Sequence, residues 1–129
     1  MSEASYPADL LYHPDHDWAR VEGDVATFGI TWHAQDALGD VVFVDPPAIG
    51  AQVTQNEPYT EIESVKAVAE VFAPLSGEVI AVNDVLIDKP EAINEDPYGA
   101  GWTVKVRVAD NAETSGLLKR DAYVASLDE

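Results

Sequence analysis

The sequence predicts a single, mainly β domain built as a barrel or a sandwich. Short apolar and β-branched runs outnumber helical patterns along the chain, and turns containing Gly, Pro or Asn separate them. A length of 129 residues matches one domain, and 47% apolar residues are enough for one modest core. The helices that the sequence predicts are short and peripheral.

Seven runs have the composition of β-strands, and a glycine turn joins the first two as a hairpin. In chain order they cover residues 18–21, 25–30, 40–44, 59–64, 67–73, 78–82 and 102–108. Gly23 lies at the bend of the hairpin. The last run alternates, so we expect its apolar residues on one face of a sheet and Thr103, Lys105 and Arg107 on the other.

Helical patterns are confined to two places. Thr31 is a suitable N-cap for a short helix that ends at Gly39. Residues 110–129 form a C-terminal helical segment in which Gly116 argues against one continuous helix. The single domain therefore spans residues 1–129, with its core at about 12–108.

The composition excludes several classes of function. The chain contains 24 acidic and 7 basic residues, and its net charge of −17 makes nucleic acid and anionic membranes unsuitable partners. A protein partner is expected to present a basic surface. Because the sequence contains no cysteine, it has no disulfide, zinc–thiolate site, iron–sulfur ligand or thiol nucleophile.

No segment has the pattern of a membrane span or a targeting signal. No apolar run approaches the roughly 18–20 residues of a transmembrane helix. The first seven residues lack the basic and apolar regions of a secretion signal and the arginines of a transit peptide. We expect no membrane association and a bacterial cytoplasmic location; a mitochondrial matrix protein with its transit peptide removed is the alternative. A monomer is expected.

Lys66 is isolated from other basic residues. The preceding base is Arg20 and the next is Lys89, while acidic residues surround Lys66. Two interpretations stay open from the residues alone: a strand lysine paired with neighbouring carboxylates, or one amine kept apart for modification by acylation. The flanking runs place Lys66 near a hairpin apex, although one long strand over residues 59–73 is the alternative.

Other candidate sites are weaker. His13, His16 and His33 are potential metal ligands, but Pro14 prevents the usual helical presentation of the first two. The sequence contains no nucleophile elbow, no phosphate-binding P-loop and no dinucleotide-binding glycine motif. The residues therefore indicate no catalytic apparatus.

The motif Glu63-Ser64-Val65-Lys66-Ala67 resembles the lipoyl-lysine motif of the glycine cleavage system H-protein family. The resemblance extends in order over about residues 12–108. Its further blocks are Tyr12 with His16-Asp17-Trp18, residues 25–31, 34–40, 73–79 and 94–102, and Tyr123. The ordered set of blocks is more specific than the lysine motif alone.

The resemblance implies a barrel-sandwich hybrid, the fold of lipoyl and biotinyl domains, with the modified lysine at a hairpin tip and a C-terminal helix. It implies that Lys66 carries lipoate in amide linkage, attached by a lipoate ligase or lipoyl transferase. Glu63, Ser64, Val65 and Ala67 would form the recognition motif around Lys66.

In this family the H protein is a non-catalytic carrier. It shuttles an aminomethyl group from a pyridoxal-phosphate-dependent glycine decarboxylase (P protein) to an aminomethyltransferase (T protein). A dihydrolipoyl dehydrogenase (L protein) reoxidises the dithiol. The lipoyl group would explain how a chain without cysteine takes part in thiol chemistry.

The resemblance also implies a surface cleft that shelters the loaded arm. Asp17 and Glu70 match carboxylate positions near that cleft, where they either hold the amine or are ordinary solvated acids. Each differs by one methylene from the residue that is commoner in the family. Trp32 and Val68 depart further, since polar or small residues are usual at these positions.

Alternatives within and outside the carrier class stay open. One is an H-like protein that mainly relays lipoyl or octanoyl groups to other carriers, and another is an unmodified β-domain that only binds partners. A biotinyl domain is disfavoured because Val65 and Ala67, rather than methionines, flank the lysine. Lipoyl domains of 2-oxo acid dehydrogenases prefer Asp where Val65 stands.

Overall fold

Nine strands form two antiparallel sheets in the computed structural model, which describes residues 6–127. They are β1 Leu11–His13, β2 Asp17–Glu22, β3 Val25–Ile30, β4 Val41–Asp45, β5 Gln52–Val53, β6 Pro58–Ser64, β7 Val68–Phe72, β8 Gly77–Val82 and β9 Val104–Val108. One sheet has the order β1-β2-β3-β9-β8-β5 and the other the order β4-β6-β7. The predicted mainly β fold is confirmed. Residues 1–5, which contributed to the expectation about targeting, and residues 128–129 of the C-terminal segment lie outside the described residues.

Short helices connect and flank the strands of the described part of the chain. They are α1 Trp32–Leu38, α2 Val85–Asp88, α3 Ala92–Glu95, a 3₁₀ helix Asn111–Gly116 and α4 Arg120–Ser126. The Thr31 hydroxyl accepts a hydrogen bond from Ala34 N at 3.2 Å, which confirms the predicted cap of α1. Among the described residues, no helix has both the length and the hydropathy needed to cross a bilayer.

The two sheets enclose the main core between their inner faces. Phe28 and Val106 from the six-stranded sheet and Ile62 from the three-stranded sheet are fully buried in it. A second cluster lies on the outer side of the six-stranded sheet, where Trp18 packs with Tyr12 and Tyr123 of α4. This second cluster explains why the C-terminal helix stays attached to the sheet.

The two ends of the chain meet at a backbone pair. Tyr12 and Leu118 exchange N–H···O=C hydrogen bonds, both 2.7 Å long. Strand β9 likewise pairs with β3, so the six-stranded sheet joins segments that lie far apart in the sequence.

The predicted strand at residues 102–108 needs one correction. It begins at Val104, and Thr103, expected on the polar face, is 3% exposed. Its hydroxyl donates to Phe28 O at 3.0 Å and shares a 2.6 Å hydrogen bond with the Tyr59 hydroxyl. These long-range partners satisfy the hydroxyl and allow its burial.

Candidate functional site

A tight hairpin joins β6 to β7 and carries Lys66 at its tip. The strands pair in antiparallel register up to Glu63 and Val68, so the alternative of one long strand over residues 59–73 is wrong. Ser64 N donates to Ala67 O at 2.8 Å, and the Ser64 hydroxyl accepts from Ala67 N at 3.1 Å. A serine side chain thus closes the turn without the glycine that hairpin patterns usually contain.

The Lys66 side chain is exposed and unpaired at this tip. None of the ion pairs found among the described residues includes Lys66, so the interpretation as a carboxylate-paired strand lysine is not supported. Its stem passes Gly39, where an added Cβ would lie 3.4 Å from Lys66 Cε. Val65 N donates to Asp40 O at 3.0 Å and ties the tip to the segment after α1. The tip therefore presents a free amine from a fixed backbone.

A groove of about 620 Å³, open to solvent, lies between β7 and α1. Its lining residues are Asp15, His16, Ile30, Ala34, Ala37, Leu38, Ala69, Glu70 and Val71. The walls are apolar, and the charged side chains are Asp15 and Glu70. The structure thus places Glu70 at the groove, whereas Trp32 and Val68, which depart from the family pattern, are not among its lining residues.

Asp17 lies behind the groove wall and does not line it. Its side chain is 1% exposed, opposite Ile30 in the β2–β3 register, and neither carboxylate oxygen has a hydrogen-bond partner among the described residues. His13 Nδ1 lies 3.5 Å from Asp17 Oδ1. However, Nδ1 accepts from Asp15 N at 3.0 Å, and Nε2 lies 2.6 Å from Asn56 Oδ1. Because Nδ1 already accepts from Asp15 N, it has no hydrogen to donate to Asp17, and the 3.5 Å contact is not a hydrogen bond.

The electrostatics of Asp17 follow from this lack of partners. Burial raises the pKa of Asp17 well above its ordinary value, and the nearby charge of Asp15 raises it further. A carboxyl group in this setting is stable either as the neutral acid or beside a cation. A groove lined by the carboxylates of Asp15 and Glu70, with Asp17 behind its wall, is therefore suited to a cationic group.

His16 lines the groove, which neither its interpretation as a metal ligand nor its place in the family block predicted. Its φ of 76° lies in the left-handed region, which is rare for a non-glycine residue. Its Nδ1 lies 2.8 Å from the Tyr123 hydroxyl, which is 2.9 Å from Thr31 Oγ1, and its ring contacts His33 with centroids 4.4 Å apart. Burial, followed by the charge of His33, lowers the pKa of His16, so the ring is neutral near pH 7. The described residues contain no cluster of metal-binding side chains.

Comparisons with known proteins agree with this geometry. The family model for the glycine cleavage H-protein matches residues 10–129. The chain is 51% identical over 126 residues to a glycine cleavage system H protein of Rubrobacter xylanophilus, covering 98% of both chains. It is 55% identical over 117 residues to a probable glycine cleavage system H protein of Haloarcula marismortui, covering 91% of this chain and 92% of that one. The crystal structure of a glycine cleavage system H protein from Mycobacterium marinum superposes with a TM-score of 0.84 at 37% identity, covering 95% of this chain and 99% of that chain.

Proposed function

Because the chain belongs to the glycine cleavage H-protein family, we propose that it is the lipoyl carrier of that system, with lipoate attached to Lys66. The observation that carries this proposal is the exposed, unpaired amine at the tip of a rigid hairpin. The acylating enzyme would recognise Lys66 together with its neighbours Glu63, Ser64, Val65 and Ala67. Ser64 also has a structural part, since its hydroxyl closes the turn that displays the lysine.

Attachment requires an amine that an acylating enzyme can reach. The Lys66 nitrogen attacks the carboxyl carbon of an activated lipoyl donor, the activating group leaves, and the nitrogen loses a proton as the amide forms. An ion-paired lysine would first have to leave its carboxylate, whereas none of the carboxylates in residues 6–127 pairs with Lys66. The positive charge disappears in this step, so the product tip is neutral.

The lipoyl group, when bound, supplies the thiol chemistry that a chain without cysteine lacks. The protein would then serve as a non-catalytic carrier of the aminomethyl group. Its partners would be the glycine decarboxylase, the aminomethyltransferase and the dihydrolipoyl dehydrogenase, besides a lipoate ligase or lipoyl transferase. The relatives in Rubrobacter xylanophilus and Haloarcula marismortui support a cytoplasmic location.

The groove beside β7 would shelter the loaded arm. Glu70 lies two residues after Val68, the first residue of β7, about 7 Å along a strand that rises roughly 3.4 Å per residue and leads away from the tip. We expect Glu70 to contact the amine end. Asp17 would ionise as the cation arrives and stabilise it from behind the wall, because a nearby positive charge favours the carboxylate. The apolar walls would exclude water from the amine end.

The test is intact mass with peptide mapping after co-expression with a lipoate ligase and, separately, with a biotin ligase. We expect a lipoyl-sized increment on the peptide containing Lys66 and none from the biotin ligase. Lys66→Arg keeps the charge but cannot form the amide, while Lys89→Arg is the matched control that should be lipoylated normally. Lipoylation of Lys66→Arg, or glycine decarboxylation supported by it, would contradict the assignment.

A further inference from the structure

The outer face of the three-stranded sheet carries apolar side chains next to Lys66. Phe43 is 50% exposed, Val65 71% and Val68 61%, and Phe43 and Val68 flank Glu63 in the row nearest the tip. A β-bulge between Val41 and Phe43 leaves Val42 exposed as well. Bulges of this kind redirect side chains and are common beside functional sites. We call Val42, Phe43, Val65 and Val68 the tip patch.

The next row of the same face consists of carboxylates. Asp45 lies opposite Glu61, and Glu61 lies opposite Glu70, so the three exposed side chains form a row across β4, β6 and β7. None of them takes part in the ion pairs found among the described residues. Like charges placed directly opposite each other destabilise a sheet, so these three carboxylates do not stabilise the fold. We call Asp45, Glu61 and Glu70 the acidic row.

Basic residues are separated from this face. Strands β4, β6 and β7 contain no lysine or arginine, and Lys66 is the one base between Arg20 and Lys89. On the six-stranded sheet, by contrast, Arg20 lies over the Trp18 ring at 5.3 Å and Arg107 pairs with Glu78 at 3.3 Å. The three-stranded sheet therefore presents an apolar patch bordered by negative charge around a single amine.

We propose that the tip patch and the acidic row form the docking surface for the enzyme that acylates Lys66. The inference rests on the proposed function and extends recognition beyond the lysine motif to the edge strand β4. An acylating enzyme must bring its reaction centre to the Lys66 nitrogen at the tip, so it covers the apolar residues that border the tip. Enzymes that act on the far end of the lipoyl arm do not need to cover these apolar residues.

The charge of the face specifies the chemistry of this partner. Its complementary surface has apolar side chains in the centre and lysine or arginine side chains around them, which matches the usual anatomy of an interface. Phe43 is the central anchor, since aromatic side chains dominate such contacts. The acidic row accelerates the association of the acylating enzyme with this protein, and its contribution to the association rate falls as the salt concentration increases.

The test measures the initial rate of lipoylation of the full chain by a purified lipoate ligase with ATP and lipoate. Phe43→Ser removes the anchor, and the double variant Asp45→Asn/Glu61→Gln removes two charges outside the groove. Ile87→Ser is the control for loss of an exposed apolar residue, and Glu22→Gln/Asp24→Asn is the charge-matched control on the other sheet. Tryptophan fluorescence confirms that each variant is folded.

We expect Phe43→Ser to lower kcat/KM about tenfold, mainly through KM, as for an interface anchor. The acidic double variant should lose about fivefold at 0.05 M salt and nothing at 1 M salt, where the Debye length is only about 3 Å. Both controls should react at the wild-type rate. Wild-type rates for both face variants, or equal losses in the controls, would overturn the docking surface. If the unsubstituted chain gains no lipoyl mass, the proposed function itself fails, and this inference fails with it.

Discussion

Replacing Asp17 by Asn should make the protein more stable at neutral pH. The wild-type carboxyl group is buried without a hydrogen-bond partner, and its folded-state pKa is raised by that burial. Above about pH 3.9, the ordinary pKa of Asp, the unfolded chain releases a proton that the folded chain retains. The stability of the wild type therefore falls as the pH rises, whereas the neutral amide of the variant has no such dependence.

The size of the effect follows from proton linkage. One proton held by the folded state alone changes the free energy of unfolding by about 1.4 kcal/mol per pH unit. The difference between Asp17→Asn and wild type should be near zero below about pH 3.9 and grow at about that slope. It should become constant once the pH exceeds the folded-state pKa of Asp17. At this chain length, each kcal/mol corresponds to about 3–6 °C in Tm.

The assay is urea unfolding followed by tryptophan fluorescence from pH 4 to pH 8. Asp24→Asn is the control, because Asp24 is exposed in the β2–β3 turn and its substitution removes the same charge from an acidic protein. The reasoning is refuted if Asp17→Asn is less stable than wild type at pH 7, or if the two curves stay parallel over this range. Either result would mean that the carboxylate is paired in solution.

Three further predictions concern the groove and its supports. Once fully lipoylated and loaded, Glu70→Gln should lose the aminomethyl group to water roughly two- to tenfold faster, measured as ammonia release, because one charge-assisted contact is removed. Fully lipoylated Glu61→Gln, whose substitution lies outside the groove, should lose it at the wild-type rate. Gly29→Ala should lower the free energy of unfolding, measured by urea titration, by about 2 kcal/mol or more, because the added Cβ would overlap the buried Trp18 ring. Gly116→Ala is the control and should be nearly neutral, because a Cβ at Gly116 makes only ordinary contacts. Tyr123→Phe should cost about 1–3 kcal/mol, because it leaves Thr31 Oγ1 and the His16 ring without their shared hydroxyl; a Tm within 1 °C of wild type would contradict this.

The sequence correctly predicts the elements whose structure depends on neighbouring residues. The turn at Gly23 has a φ of 66°, and the cap at Thr31 uses a hydrogen bond three residues away. Both confirm predictions made from residue type and spacing. The flanking runs likewise predict Lys66 near a hairpin apex, with one long strand over residues 59–73 as the alternative, but the turn is closed by Ser64 rather than by a glycine.

Features that depend on distant partners were not predicted. Thr103 is buried because Phe28 and Tyr59, far away in sequence, satisfy its hydroxyl. The short strands β1 and β5 and the helices α2 and α3 are too brief to give a periodic pattern. Asp17 was assigned to the cleft by resemblance, but only the packing of His13 beside it reveals a carboxyl group without a partner.

The backbone pair between Tyr12 and Leu118 also bears on the order in which the elements can assemble during synthesis. On the ribosome, the β2–β3 and β6–β7 hairpins involve only neighbouring residues and can form as they emerge. The six-stranded sheet cannot be completed until β9 has left the exit tunnel, because β9 is the second partner of β3. The bridge from Tyr12 to Leu118 forms later still. The lysine hairpin is thus among the earliest elements to form, while the sheet that supports it is among the last. An enzyme that recognises the folded surface therefore acts after β9 has emerged, because the three-stranded sheet buries its inner face against the six-stranded one.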